Sequence, residues 1–155
     1  MKFFSILSIL AVLLIGCSNE DQIYSKHKEL SKGAVWNQVD EVFFKVEVDD
    51  IDADYSVKYM FRHMEGFSYK DLNIVVTEIS PSKKEFVSEY AVNVVDENGE
   101  YTGGNAMSVI DCESVVEEHK RFSEKGIYIF KVAHMMPVEE VTYSLELGLE
   151  IVKNN

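Results

Sequence analysis

The residue with the most chemistry in its surroundings is Cys17, which follows Leu14-Ile15-Gly16 at the end of an apolar run. Lys2 supplies a positive start, and Phe3 to Ile15 is a stretch of 13 residues broken only by Ser5 and Ser8. As a helix that run rises roughly 20 Å, short of the ~30 Å hydrocarbon core of a bilayer. It therefore reads as the core of an export signal and not as a membrane span. The Leu-Ile-Gly-Cys ending is a lipobox: a small residue precedes the cleaved bond, and the thiol after it takes diacylglycerol before cleavage. The expectation is a signal over residues 1–16, cleavage between Gly16 and Cys17, and a mature chain of 139 residues acylated on Cys17. Acyl chains contribute about 0.8 kcal/mol per buried methylene, so several of them hold a protein at a membrane almost permanently. Ser18, in place of Asp, points to the outer membrane, with the face left open.

Other reactive residues form weaker patterns. Asp50, Asp52 and Asp54 have the alternate spacing that begins a calcium loop, but such a loop needs Gly at position six and Glu at position twelve. Tyr55 and Phe61 stand there, so a solvated acidic turn is the better reading. His63 and His134 could meet in space, yet the four histidines lack HxH or HExxH spacing. There is no GxSxG, phosphate loop, CxxC or deaminase signature, and no carboxylate sits in an apolar setting that would raise its pKa. Enzymatic activity, a metal and a cofactor are therefore not expected. Cys112, the second of two cysteines, reads as a small buried apolar residue, with a reactive or bridging thiol as the alternative. Trp36, Phe67, Tyr69 and Tyr101 fall outside the alternating segments, and Arg62-His63 lies at a strand end. Trp36, Arg62, His63, Tyr69 and Tyr101 are candidate contacts for a protein partner or a sugar. The blander reading has the aromatics closing the open ends of the domain.

The elements that position these residues are strands. Val42, Phe44, Val46 and Val48 share one face, as do Tyr55, Val57, Tyr59 and Phe61. Leu72 to Ile79 and a return strand carrying Phe86, Tyr90, Val92 and Val94 flank a turn at Ser80-Pro81-Ser82-Lys83-Lys84. Asp96-Glu97-Asn98-Gly99 is a tight turn. Met107 to Phe122 is ambiguous between one or two strands and a short helix, and strands resume at Gly126 to Val132 and Thr142 to Val152. About eight strands and no firm helix predict an all-β, two-sheet antiparallel β-sandwich of jelly-roll or immunoglobulin-like type. The expected division is residues 1–16 as signal, 17–34 as lipidated N-terminus and flexible tether, and 35–155 as the β-sandwich domain. The net charge of −12, or −13 without Lys2, repels phosphate backbones and excludes nucleic acid as a partner.

Several of these segments together resemble the GldH family of gliding-motility lipoproteins. Tyr55 through Arg62-His63 is similar to a Tyr-strand-Arg segment of that family, and Phe67-Ser68-Tyr69-Lys70-Asp71-Leu72 to its Tyr-Pro-Tyr-x-Asn-Leu stretch. Asp96 to Gly103 resembles an Asp-x-x-Gly-x-Trp-x-Gly turn, and Phe122 to Phe130 the family's Phe-x-x-x-Gly-x-Tyr-x-Phe. Ser68, Asp71 and Tyr101 depart from the Pro, Asn and Trp of those patterns. Glu20-Asp21 also resembles surface-export signals of lipoproteins in gliding bacteria. The resemblance implies a non-enzymatic, membrane-anchored accessory of a gliding-motility and linked secretion assembly, with envelope proteins as partners. A cell-surface glycan-binding module is the alternative, and a hydrolase using buried carboxylates a third.

Overall fold

The computed structural model describes residues 21–30 and 32–154. The expected signal, its expected cleavage site at Gly16 and the expected acylation site at Cys17 lie outside the described residues. Eleven antiparallel strands make up the fold, and no helix occurs among the described residues. The strands are β1 (Gln22–Glu29), β2 (Val35–Asn37), β3 (Val42–Val48), β4 (Tyr55–Met64), β5 (Asp71–Ile79) and β6 (Glu85–Asn93). They continue as β7 (Gly104–Ala106), β8 (Val109–Lys120), β9 (Gly126–His134), β10 (Glu140–Thr142) and β11 (Ser144–Lys153). One sheet has the order β1-β11-β4-β8-β7, a second β3-β9-β5-β6, and a two-stranded ribbon pairs β10 with β2.

Period-two alternation builds both large sheets. In β3 the buried set is Val42, Phe44, Val46 and Val48, and in β4 it is Tyr55, Val57, Tyr59, Phe61 and His63. These inner faces share one apolar cluster, to which β11 adds Leu147, Leu149 and Ile151 and β9 adds Tyr128, Phe130 and Val132. Each such side chain contributes about 1.5–3 kcal/mol when fully buried. Contacts across the cluster join the sheets: Tyr24 of β1 meets Phe44 of β3 edge-on at 6.4 Å, and Tyr59 of β4 lies 6.0 Å from Tyr90 of β6. The Asn93 amide also donates to Ser114 Oγ of β8 at 2.9 Å.

Two sequence expectations are corrected and one open reading is resolved. Gln22–Glu29, assigned to the tether on its polar composition, is strand β1, antiparallel to β11 from Gln22↔Val152 to Glu29↔Glu146. An edge strand with most side chains in water carries little apolar signal, and backbone pairing holds it. Met107–Phe122 contains no helix; β8 runs the length of Val109–Lys120 against β4. The strand count rises from about eight to eleven because β1 carries no apolar period and β2, β7 and β10 are only three residues long, too short for alternation to register, while Met107–Phe122 supplies one strand and not two.

Candidate functional site

Strand direction gives the domain two ends. Gln22, Tyr55, Lys120 and Lys153 meet at one, through the register of β1, β11, β4 and β8. Met64, Val109, Ser144 and Glu29 lie toward the other. At this second end the chain holds non-glycine residues in left-handed backbone: Ala34 (φ 58°), Met107 (φ 54°), Ser108 (φ 67°) and Tyr143 (φ 65°). Backbone bonds gather them into one place. The Met64 amide donates to Tyr143 O at 2.8 Å, Glu65 N–H to Ser108 O at 2.9 Å, and Ser144 N–H to Ala34 O at 3.1 Å.

That arrangement turns large apolar side chains outward. Met107 is 98% exposed, Tyr143 43% and Met64 38%. Gly66, at φ 103°, lies under the Tyr143 ring, whose atoms would stand 3.5–3.7 Å from any added Cβ. Two adjoining depressions of about 310 and 500 Å³ share Gly33, Ala34 and Met64. The smaller is closed by Tyr143 and Thr142, the larger by Leu145, Glu29 and Glu146.

Beneath the exposed residues sits a packed aromatic group. His63 stacks on Phe61 at 5.3 Å and touches Phe67 at 5.2 Å and Tyr101 at 5.3 Å, and Phe67 meets Tyr69 at 5.6 Å. Tyr101 Oη accepts the Gly66 N–H at 3.2 Å, which ties the Glu65–Lys70 loop down. His63 Nδ1 lies 2.8 Å from Met64 O, so that nitrogen carries the proton and Nε2 is left as an acceptor facing Cys112 Sγ at 3.5 Å. A cysteine and a histidine at this range have the composition of a nucleophilic pair. Their environment opposes that chemistry: burial pushes the Cys112 thiol up and the His63 imidazole down. Both shifts disfavour a thiolate–imidazolium pair, and both residues are buried. The pair is neutral core packing.

The sequence-derived candidates thus divide. His63, Tyr69 and Tyr101 come together, with Phe67, as the support under the exposed end. His63 is fully buried and offers no surface itself. Trp36 is likewise fully buried: its Nε1–H donates to Asp40 O at 2.8 Å and its ring meets His134 at 5.3 Å. A direct contact with a partner is corrected for both, because each fills the core at a strand end. Arg62 lies on the outward face of β4, clamped by Asp111 at 2.6 Å and Glu146 at 3.0 Å. His63 and His134 have different neighbours and form no pair. Asp50 and Asp54 turn to Lys153 and Arg121, and those partners hold both carboxyls below their usual range. Met64, Met107, Tyr143 and Ala34 were not singled out by the sequence. The signal available for Tyr143 was its place in the odd-numbered apolar series Val141 to Ile151, which the structure breaks at that residue.

A family model for the GldH lipoprotein matches residues 22–151, from the first residue of β1 almost to the end of β11. The chain belongs to the GldH lipoprotein family. Membership implies a gliding-motility lipoprotein role, in a family without known catalytic activity. No curated protein matches the sequence. The GldH match begins at Gln22, so the family unit includes the edge strand and all three sheets. Among the described residues no helix is long and apolar enough to cross a membrane.

Proposed function

We propose that this GldH-family protein is an outer-membrane lipoprotein, acylated on Cys17 after cleavage at Gly16, that serves as a non-enzymatic component of gliding motility and its linked secretion machinery. The observation that carries the reading is the family match across the whole folded body, preceded in the chain by the Leu-Ile-Gly-Cys motif. The two large sheets are taken as the layers of a sandwich. Its exposed Met64–Met107–Tyr143 end supports a binding role, since apolar side chains held outward in strained backbone are a poor use of stability for a body with nothing to bind. The neutral Cys112–His63 pair supports the absence of thiol chemistry.

The test is deletion of the chain, scored for colony spreading, together with co-purification from crosslinked, detergent-solubilised envelopes. The expected result is loss of spreading and recovery with other envelope proteins. Normal spreading, with the chain recovered alone, contradicts the reading. Mass spectrometry of the purified product showing an unmodified thiol at Cys17 contradicts the anchor.

A further inference from the structure

We propose that the end carrying Met64, Met107 and Tyr143 docks a partner protein through a segment in which an apolar side chain lies beside Lys or Arg. The inference rests on the membrane-anchored reading above and adds the partner's chemistry and the direction from which it approaches. The patch is apolar and adaptable at its centre, because methionine thioethers repack around irregular side chains and Tyr143 offers a rigid ring over Gly66. Strain at Ala34, Met107, Ser108 and Tyr143 points the group outward, and such strain clusters at binding sites.

The rim is acidic. Glu29 faces Glu146 directly across the β1–β11 pair, and both line the larger depression. Arg62 reaches Glu146 at 3.0 Å, whereas Glu29 and Glu65 make no ion pair among the described residues. Like charges opposite one another on a sheet are destabilising; Arg62 offsets this at Glu146, and the carboxylates left for a partner's cation are Glu29 and Glu65. A second copy of this chain fits badly, since it brings the same acidic rim and a net charge of −12.

The anchor argues against a lipid surface. Strand β1 starts at Gln22, five residues beyond Cys17. Five peptide steps span at most about 18 Å. The seven residue steps of β1 then carry the chain about 23 Å from that end toward the patch. A membrane at Cys17 therefore lies by the Gln22–Lys153 end, and the exposed Met and Tyr side chains face away from it.

Selection of a random 12-residue peptide library on the purified mature chain tests this, with vesicles of 3:1 phosphatidylcholine and phosphatidylglycerol as a separate arm. The proposal expects enriched peptides that place an aromatic or aliphatic residue within two positions of Lys or Arg. Affinity for those peptides is expected to fall at least about tenfold in Glu29→Lys/Glu65→Lys and in Tyr143→Gly, each with an unchanged far-UV spectrum. The charge-reversal variant alters only surface carboxylates, so it stays informative if Tyr143→Gly folds poorly. No enrichment, an acidic consensus, affinity unchanged in Glu29→Lys/Glu65→Lys, or vesicle binding lost with Tyr143→Gly overturns it. Deletion without a spreading defect bears instead on the motility reading, so the two failures are distinguishable.

Discussion

The two ends of the β-domain handle their loops to different degrees. Where Gln22, Tyr55 and Lys153 meet, charged side chains satisfy one another. Lys153 reaches Asp50 at 2.7 Å, Arg121 pairs with Asp54, and Ser82 donates to Glu124 at 2.6 Å. Between the sheets near this end, Lys120 is held by Glu78 at 2.6 Å, and the Tyr90 hydroxyl donates to Glu117, with burial as the main cause pushing that phenol up to about 12. The opposite end leaves Met107 almost wholly in water and holds four non-glycine residues in left-handed backbone. The difference is one of degree: the Gln22 end joins its ion pairs to one left-handed residue, Lys83 (φ 69°), and to exposed Phe86, Val87 and Ile127, while the Met107 end gathers four left-handed residues beside exposed Met64, Met107 and Tyr143.

Changes below the exposed end are expected to be the most damaging. Trp36→Ala removes the side chain that joins the small ribbon to His134 of β9, and a cost of about 3–5 kcal/mol is expected in chemical denaturation. Gly103→Ala comes next. A Cβ there would stand 1.9 Å from Asp111 O, so the backbone beside β7 and β8 must move, at about 1–3 kcal/mol in the same assay. Met107→Gly works in the other direction. It relieves a left-handed residue that is 98% exposed, so a gain of about 0.5–1 kcal/mol is expected, read as a rise of a few degrees in Tm.

Two pH effects complete the contrast. Burial holds the His63 and His134 imidazoles below their usual value of 6.5. Between that value and the depressed ones the unfolded chain binds more protons, so stability falls as pH drops below about 6.5. Denaturation at pH 7.5 and 5.5 should show the loss, with a smaller loss in His63→Gln. The smallest effect belongs to the ion-paired end. Asp50 and Asp54 are held below the ordinary 3.8, so their contribution is present above that pH and fades as acid protonates them. Asp50→Asn/Asp54→Asn should change little at neutral pH and flatten the acid limb of the stability curve, since exposed pairs of this kind are weak.

The sheets were legible wherever one face is buried. Val42 to Val48 and Tyr55 to Phe61 alternate in the sequence as they do in the structure, because a one-residue slip would put every apolar side chain into water. Strand β1 was illegible for the complementary reason: an edge strand of Lys26, His27, Lys28 and Glu29 has no apolar period, and only the ladder to β11 reveals it. Of the candidate site, Tyr69, Tyr101 and His63 were found by their position near loops, and they turn out to be its floor. The exposed residues above them escaped because a positive φ at Met107 or Tyr143 is imposed by tertiary bonds, such as Met64 N–H to Tyr143 O, which no local pattern encodes. Trp36 misled in the opposite sense, since a three-residue strand looks like a loop and its ring fills the core.

The most direct test of the account is site-specific photocrosslinking in living cells, with the crosslinker at Met107 on one end and at Lys83, in the Ser80–Lys84 turn, on the other. Crosslinks from Met107 to an envelope protein, at a segment carrying Lys or Arg, with none to protein from Lys83, are the predicted result. Protein crosslinks from Lys83 alone, or lipid crosslinks from Met107, would contradict it.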